Sequence, residues 1–218
     1  MSKRKNNIIE TSISLFNKKG YMNTSTRHIA QSMNISVGNL YYYFKNKEDI
    51  LIEIFNHFID EILYEVKKIN FQEDTMFLFE NLLINNYQIE RKYAFLTIEI
   101  NTIIMSNPNF RKIRQESLFL EIDLFKKLIK HQIKFGYFIK LAEEEINFLI
   151  SNVWTIAVNS YTFWSLLDKN IEENLKNSIR NIYYFLKPYF TQKRLALKEP
   201  IKSQEELEFK LDDISALH

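Results

Sequence analysis

The 218-residue chain reads as all-helical. Only three glycines and three prolines are spread along it, far too few for the many tight turns of an all-β fold. Apolar residues recur at three- and four-residue steps, the period of a helix face. With 46% hydrophobic and 26% charged residues, the composition suffices for an ordinary globular core. The organisation expected is a small N-terminal helix-turn-helix domain, residues 1–50, followed by a larger helical domain, 51–191. A polar connector and a short C-terminal helix fill 192–218.

The first helix is expected over 3–19, with Ile9, Ile13 and Phe16 on one face and Gly20 ending it in a left-handed turn. Tyr21 can fold back on its last turn. A second helix begins near Thr24–Ser25, whose hydroxyls can cap it, and runs to about Met33. Asn34 tolerates a left-handed backbone and can make a sharp turn there. Ser36 then caps a short third helix at 37–43, and Asn46 with Asp49 forms a capping pair that opens a fourth at Lys47. The core expected for this bundle is Ile29, Ala30, Ile35, Leu40 and Phe44. Further helices are expected at 47–68, 74–91, 94–105, 109–135, 144–167, 171–187 and 204–214. Asn107-Pro108, Gly136 and Pro188 supply breaks between them.

Charge is unevenly placed. Residues 1–50 carry eight Lys/Arg against three Asp/Glu, while the remainder is mildly acidic. A basic head on an acidic body suits nucleic-acid binding at the front and another task behind. Cysteine is absent, which excludes disulfides, thiolate metal sites and a Cys nucleophile. No histidine pair has metal-ligand spacing on a helix, and His28 reads as a surface or packing residue. No phosphate-binding glycine loop, zincin motif or Gly-x-Ser-x-Gly is present, so neither an enzyme nor a cofactor is expected. The basic MSKRKNN start lacks the apolar run of a secretory signal, which makes the cytoplasm the expected location. Residues 146–167 hold no charge. Asn152, Thr155, Asn159 and Thr162 nevertheless form a polar stripe there, which favours a buried helix over a membrane span.

The most informative block is GYMNTSTRHIAQSMNISVGNLYYYFKNKEDIL, residues 20–51. Gly20-Tyr21, Thr24–Thr26, Ile29-Ala30, Ser36, Gly38, Leu40-Tyr41, Phe44, Lys47 and Ile50-Leu51 stand in the register of the TetR family's DNA-binding domain, which the block resembles. Asn34 stands where that family commonly has Gly, and Tyr43 where His is frequent. The physical logic stands beside the resemblance. A helix in the major groove must offer base contacts near its N-terminus and phosphate contacts at its flanks. Gly38 permits close approach, and Asn39 can pair with adenine. Val37 can touch a thymine methyl or pack inside. Ser36 caps the helix, and Tyr41 and Tyr42 can each give a hydroxyl to phosphate. Lys47 combines its charge with the free N–H groups of a helix start. Thr26 and Arg27 can clamp the backbone from the second helix, and Arg27 can also reach guanine.

The resemblance implies a homodimer, built through the last two long helices, that grips a palindromic double-stranded DNA operator with two heads about 34–36 Å apart. Val153, Ala157, Ser160, Tyr161, Trp164, Ile182, Tyr183 and Leu186 are the faces expected at that interface. The resemblance also implies a small-molecule effector whose binding releases a repressor from DNA. Candidate pocket walls are Phe95, Phe119, Phe125, Trp154, Tyr161 and Trp164, with Asn152 and Asn159 as polar anchors. The competing reading is a helical carrier of hydrophobic ligands that does not bind DNA.

Overall fold

A computed structural model describes residues 3–74, 78–167 and 170–197. Among these the chain is helical, with α1 Lys3–Lys19, α2 Thr26–Ser32, α3 Val37–Tyr41, α4 Lys47–Lys67, α5 Leu78–Lys92, α6 Ala94–Ser106, α7 Pro108–Lys134, α8 Glu143–Leu167 and α9 Ile171–Leu186. A 3-10 turn, Lys187–Tyr189, and a short α10, Gln192–Leu195, follow. The helix expected at 204–214 lies outside the described residues. No described helix is long and apolar enough to cross a membrane.

The chain divides into two units. The first comprises Met1–Lys68 and Gln88–Glu121, the second Ile69–Tyr87 and Ile122–His218. The segment 1–50 lies wholly within the first unit.

In the first unit α1 buries Ile8, Ile9, Ile13 and Phe16 along one face. Ser12, also on that face, satisfies its hydroxyl by donating to the Ile8 carbonyl at 2.7 Å. Ile29, Ala30, Leu40 and Phe44 complete the bundle core with Ile50, Leu51 and Ile54 from α4. Ile35, expected among them, is only half-buried. Three caps form where the side chains allow. Ser25 Oγ accepts from His28 N, Ser36 Oγ from Asn39 N and Asn46 Oδ1 from Asp49 N. Asp49 reciprocates by accepting from Lys45 N. The third helix is two residues shorter than the expected 37–43, stopping at Tyr41.

The joint between α2 and α3 is a C-terminal left-handed motif. Asn34 has φ +52°. Its N–H donates to the Gln31 carbonyl, and the Ile35 N–H to the Ala30 carbonyl. These two bonds satisfy carbonyls that the end of a helix would otherwise leave orphaned.

In the second unit α8 and α9 pack on one another, with Ile146, Leu149, Ile150, Val153, Leu175, Ile179, Ile182 and Leu186 buried. Asn181 donates to Ser160 Oγ across the pair at 2.8 Å. Val153, Ser160, Tyr161, Ile182 and Leu186, expected at a dimer interface, are therefore buried within the protomer. Hydrophobic periodicity marks a buried face but does not say which chain buries it. The outward stripe of α8 instead carries Phe148, Asn152, Thr155, Asn159, Thr162, Phe163 and Leu166.

The start of the connector expected at 192–203 is structured. Thr191 caps α10 and donates from Oγ1 to the Gly136 carbonyl at 2.7 Å. Arg194 is buried, its guanidinium over the Phe190 ring. The acidic start of α8 is engaged by neighbouring groups. Glu143 pairs with Lys126 and Lys130, and Glu145 accepts from Ala142 N.

Asn34→Gly should leave thermal stability unchanged or raise it. Asn34→Val should cost about 1–2 kcal/mol, because a β-branched residue is strained at positive φ. Thermal melting followed by circular dichroism checks both.

Candidate nucleic-acid interface

The site is built on three short stretches of the first unit: the α1–α2 turn, α3, and the start of α4. A helix as short as α3 has almost no stability of its own. It is held by Leu40, fully buried, by Phe44 just beyond it, and by the Ser36 cap. With Leu40 inward, the remaining positions face out. Gly38, Asn39, Tyr41 and Tyr42 are exposed, Tyr42 at 83%. Val37 is half-buried, between its two expected roles.

Gly38 is not required by the fold. Its φ is ordinary, and a Cβ there would meet only Ser36 Oγ, at 3.9 Å. Gly20 differs. It sits at φ +83°, and a Cβ would lie 2.4 Å from the Glu99 carboxylate. One glycine is needed inside the protein; the other leaves open surface on the exposed helix.

Beside α3 lies an open cleft of about 370 Å³. Thr24, Ser25 and Thr26 from the start of α2 form one lip, Asn46 and Lys47 from the start of α4 another, and Tyr41 closes a side. Thr26 Oγ1 is 3.3 Å from the Tyr41 hydroxyl. Arg27 is exposed next to Thr26. Hydroxyls and a cation line it beside the start of the long helix α4, a combination suited to an anionic oxygen.

Lys47 has a second engagement that its spacing did not reveal. Its amine donates to the Tyr21 carbonyl at 2.8 Å and lies 4.1 Å from the Tyr21 ring centroid. Desolvation pulls its pKa down, and the charge of Glu99 opposes that shift. An ammonium has three donors, so two remain for the cleft it lines.

Sequence reasoning missed three residues that shape this surface. His28 completes a capping box, its Nδ1 accepting from Ser25 N at 3.3 Å. The Ser-x-x-His spacing carried that signal, since a neutral imidazole can accept where Glu normally does. Glu99 accepts from Tyr21 N at 3.0 Å and from Met22 N at 3.1 Å. Asn107 lies near the Tyr21 hydroxyl and favours its ionised form. Burial, then the nearby Glu48 charge, pushes that hydroxyl up to about 12 while Asn107 opposes. Nothing local in sequence announces either contact, for Glu99 is 78 residues from Tyr21.

The residues expected to line an effector pocket belong to both units. Phe95 is buried in the first unit against Phe16, ring centroids 5.1 Å apart. Phe119, also in that unit, is 64% exposed. Phe125, Trp154 and Trp164 are half-buried in the second unit, and Tyr161 is buried there, its hydroxyl pKa raised by desolvation. Asn152 and Asn159 are exposed and donate to carbonyls of their own helix, those of Phe148 and Thr155.

The fold and this surface together define a helix-turn-helix head on a helical body. Residues 8–54 match the family model for bacterial regulatory proteins of the tetR family. The chain is 31% identical over 136 residues to the uncharacterized HTH-type transcriptional regulator YuxN of Bacillus subtilis, across 56% of this chain and 45% of that protein. It is 32% identical over 102 residues to IcaR of Staphylococcus epidermidis, the HTH-type negative transcriptional regulator of the biofilm operon icaADBC, across 45% of this chain and 54% of that one. The matched segments thus span about half the length of these curated relatives. A TetR-family regulator from Marinobacter aquaeolei superposes with a TM-score of 0.79 at 25% identity, covering 90% of this chain and 95% of that one. Residues 8–54 are thus similar to the DNA-binding domain of the tetR family, and the chain shares the helical fold of TetR-family regulators.

Gly38→Ala should melt at the same temperature or higher, because Ala is favoured over Gly in a helix by about 1 kcal/mol. The same variant should bind duplex DNA at least about tenfold more weakly if the open surface at Gly38 is where bases approach. Melting and fluorescence anisotropy, run on one preparation, check the pair.

Proposed function

We propose that this chain is a DNA-binding transcriptional repressor, working as a homodimer in the cytoplasm on a palindromic operator and released from it by a small-molecule effector. The observation that carries the reading is α3, anchored from one side by Leu40 while Gly38, Asn39, Tyr41 and Tyr42 stand outward beside a cleft suited to phosphate. Asn39 reads a base edge, and Arg27, Thr26, Tyr41 and Tyr42 hold the backbones at the flanks. Ser36 serves as the cap that orients α3, with Val37 at its rim. Negative control, as IcaR exerts on its operon, is the mode assigned here.

A single five-residue helix reads too few bases to be selective, so two heads are needed. The second copy docks on the outward stripe of α8. Its central Asn152, Thr155 and Asn159 are already satisfied by their own helix, and Phe148, Phe163 and Leu166 supply apolar area. The effector site is assigned to the second unit, among Phe125, Trp154, Tyr161 and Trp164. There Trp164 keeps a buried indole N–H without a hydrogen-bond partner among the described residues, a donor that an acceptor-bearing effector would satisfy. Release follows only to the extent that the effector binds the DNA-free state more tightly.

Binding to a duplex from the region upstream of the chain's own gene should weaken steeply with salt, log K falling linearly against log salt concentration. Tyr42→Ala should lower affinity by roughly tenfold, about 1.4 kcal/mol, with melting unchanged. Electrophoretic mobility shift across a salt series checks both. Salt-independent behaviour, with hydrophobic ligands bound instead, would establish the carrier reading.

A further inference from the structure

The α1–α2 turn is held from outside the helix-turn-helix. Of the thirteen residues of α6, Glu99 alone is charged. Its two carboxylate oxygens are directed to backbone, Oε1 to Tyr21 N at 3.0 Å and Oε2 to Met22 N at 3.1 Å. Gly20 leaves the space that the carboxylate occupies. One turn earlier, α6 is tied to the same end of α1. Asn17 accepts from Phe95 N at 3.0 Å and donates to the Lys92 carbonyl at 2.9 Å.

The turn that Glu99 grips leads directly to both lips of the cleft. Thr24 N donates to the Tyr21 carbonyl at 3.2 Å and Thr24 Oγ1 to the Gly20 carbonyl at 2.8 Å, which sets the start of α2. Lys47, the first residue of α4, donates to that same Tyr21 carbonyl at 2.8 Å. Charge-assisted hydrogen bonds are short and directional, so a displacement of α6 by an ångström would misalign them.

We propose that Glu99 is a positioning residue: through its two bonds to the Tyr21 and Met22 N–H groups, α6 sets the spacing of the α2 and α4 starts that receive DNA phosphate. This rests on the DNA-binding reading above. It adds the particular contact by which a change in the helical body reaches the head. Glu99 touches no DNA; it acts through the turn.

The test uses the full-length chain and a duplex selected by the parent from a randomised pool. Glu99→Gln keeps the shape, but its single amide oxygen accepts from one N–H while the amide nitrogen opposes the other. At a temperature where both proteins are folded by circular dichroism, its affinity should fall roughly tenfold, within the usual range of site-to-site coupling. The slope of log K against log salt should become shallower by about one or more, as positioned phosphate contacts are lost. If Glu99→Gln melts too low to assay, Glu99→Asp keeps the charge, shortens its reach and is read in the same way.

A double-mutant cycle adds an independent arm. Gly20→Ala displaces the Glu99 carboxylate in the parent but has no carboxylate to displace beside Glu99→Ala. The positive-φ strain is common to both arms and cancels, so the two losses of affinity should be less than additive. Parental affinity and slope in Glu99→Gln would overturn the proposal. So would a weakened affinity with an unchanged slope, which marks general loosening of the head, or a strictly additive cycle. If the parent itself selects no duplex, the DNA-binding reading fails first, before any variant is made.

Discussion

The first unit depends on how three residues of backbone, Gly20 to Met22, find hydrogen-bond partners. A chain that reverses between two helices exposes N–H and carbonyl groups that neither helix can satisfy. Here the carbonyl of Tyr21 receives Thr24 N and the Lys47 amine, and the N–H groups of Tyr21 and Met22 are taken by Glu99. The Tyr21 ring packs edge-on against Phe16, with centroids 5.2 Å apart. Three helices of the unit, α1, α4 and α6, therefore meet at one buried tyrosine. Removing a partner of the part-buried Tyr21 groups would leave a polar group short of a bond where water is scarce, which costs more than the bond itself contributes.

Rigidity of that turn gives a short α3 its use. The helix is too short to persist alone, and its outward residues include two exposed tyrosines and a glycine. Its direction is imposed from both sides, by the left-handed Asn34 before it and by Leu40 and Phe44 beneath it. A binding surface gains from such pre-organisation, because less ordering remains to be done when a partner docks. The cleft beside it is likewise assembled from helix starts whose caps are already made.

The second unit illustrates the limits of reading apolar pattern. The greasy stretch 146–167 becomes α8, buried on one side by α9, while the stripe of Asn152, Thr155 and Asn159 faces outward and turns its donors back on its own helix. Polar groups satisfied within the helix can be covered at little cost, so polarity there does not argue against an interface. Charge at the start of α8 is likewise engaged, Glu143 with two lysines of α7 and Glu145 with the Ala142 N–H.

Local chemistry was legible in the chain itself. The caps at Ser25, Ser36 and Asn46, the left-handed turns at Gly20 and Asn34, the breaks at Pro108 and Gly136 and the helix-turn-helix register all follow from residues within a few positions of one another. Interactions of that range are decided by backbone sterics and short side-chain reach, which sequence spacing encodes. Tertiary structure decided the rest: that Lys47 turns its amine to Tyr21, that Glu99 closes on the same turn, that Phe95 packs on Phe16, and that α8 buries its apolar face on α9. Each of these joins groups far apart in the chain. Periodicity reports only that a side chain is buried, and the identity of its neighbour emerges once the helices have packed.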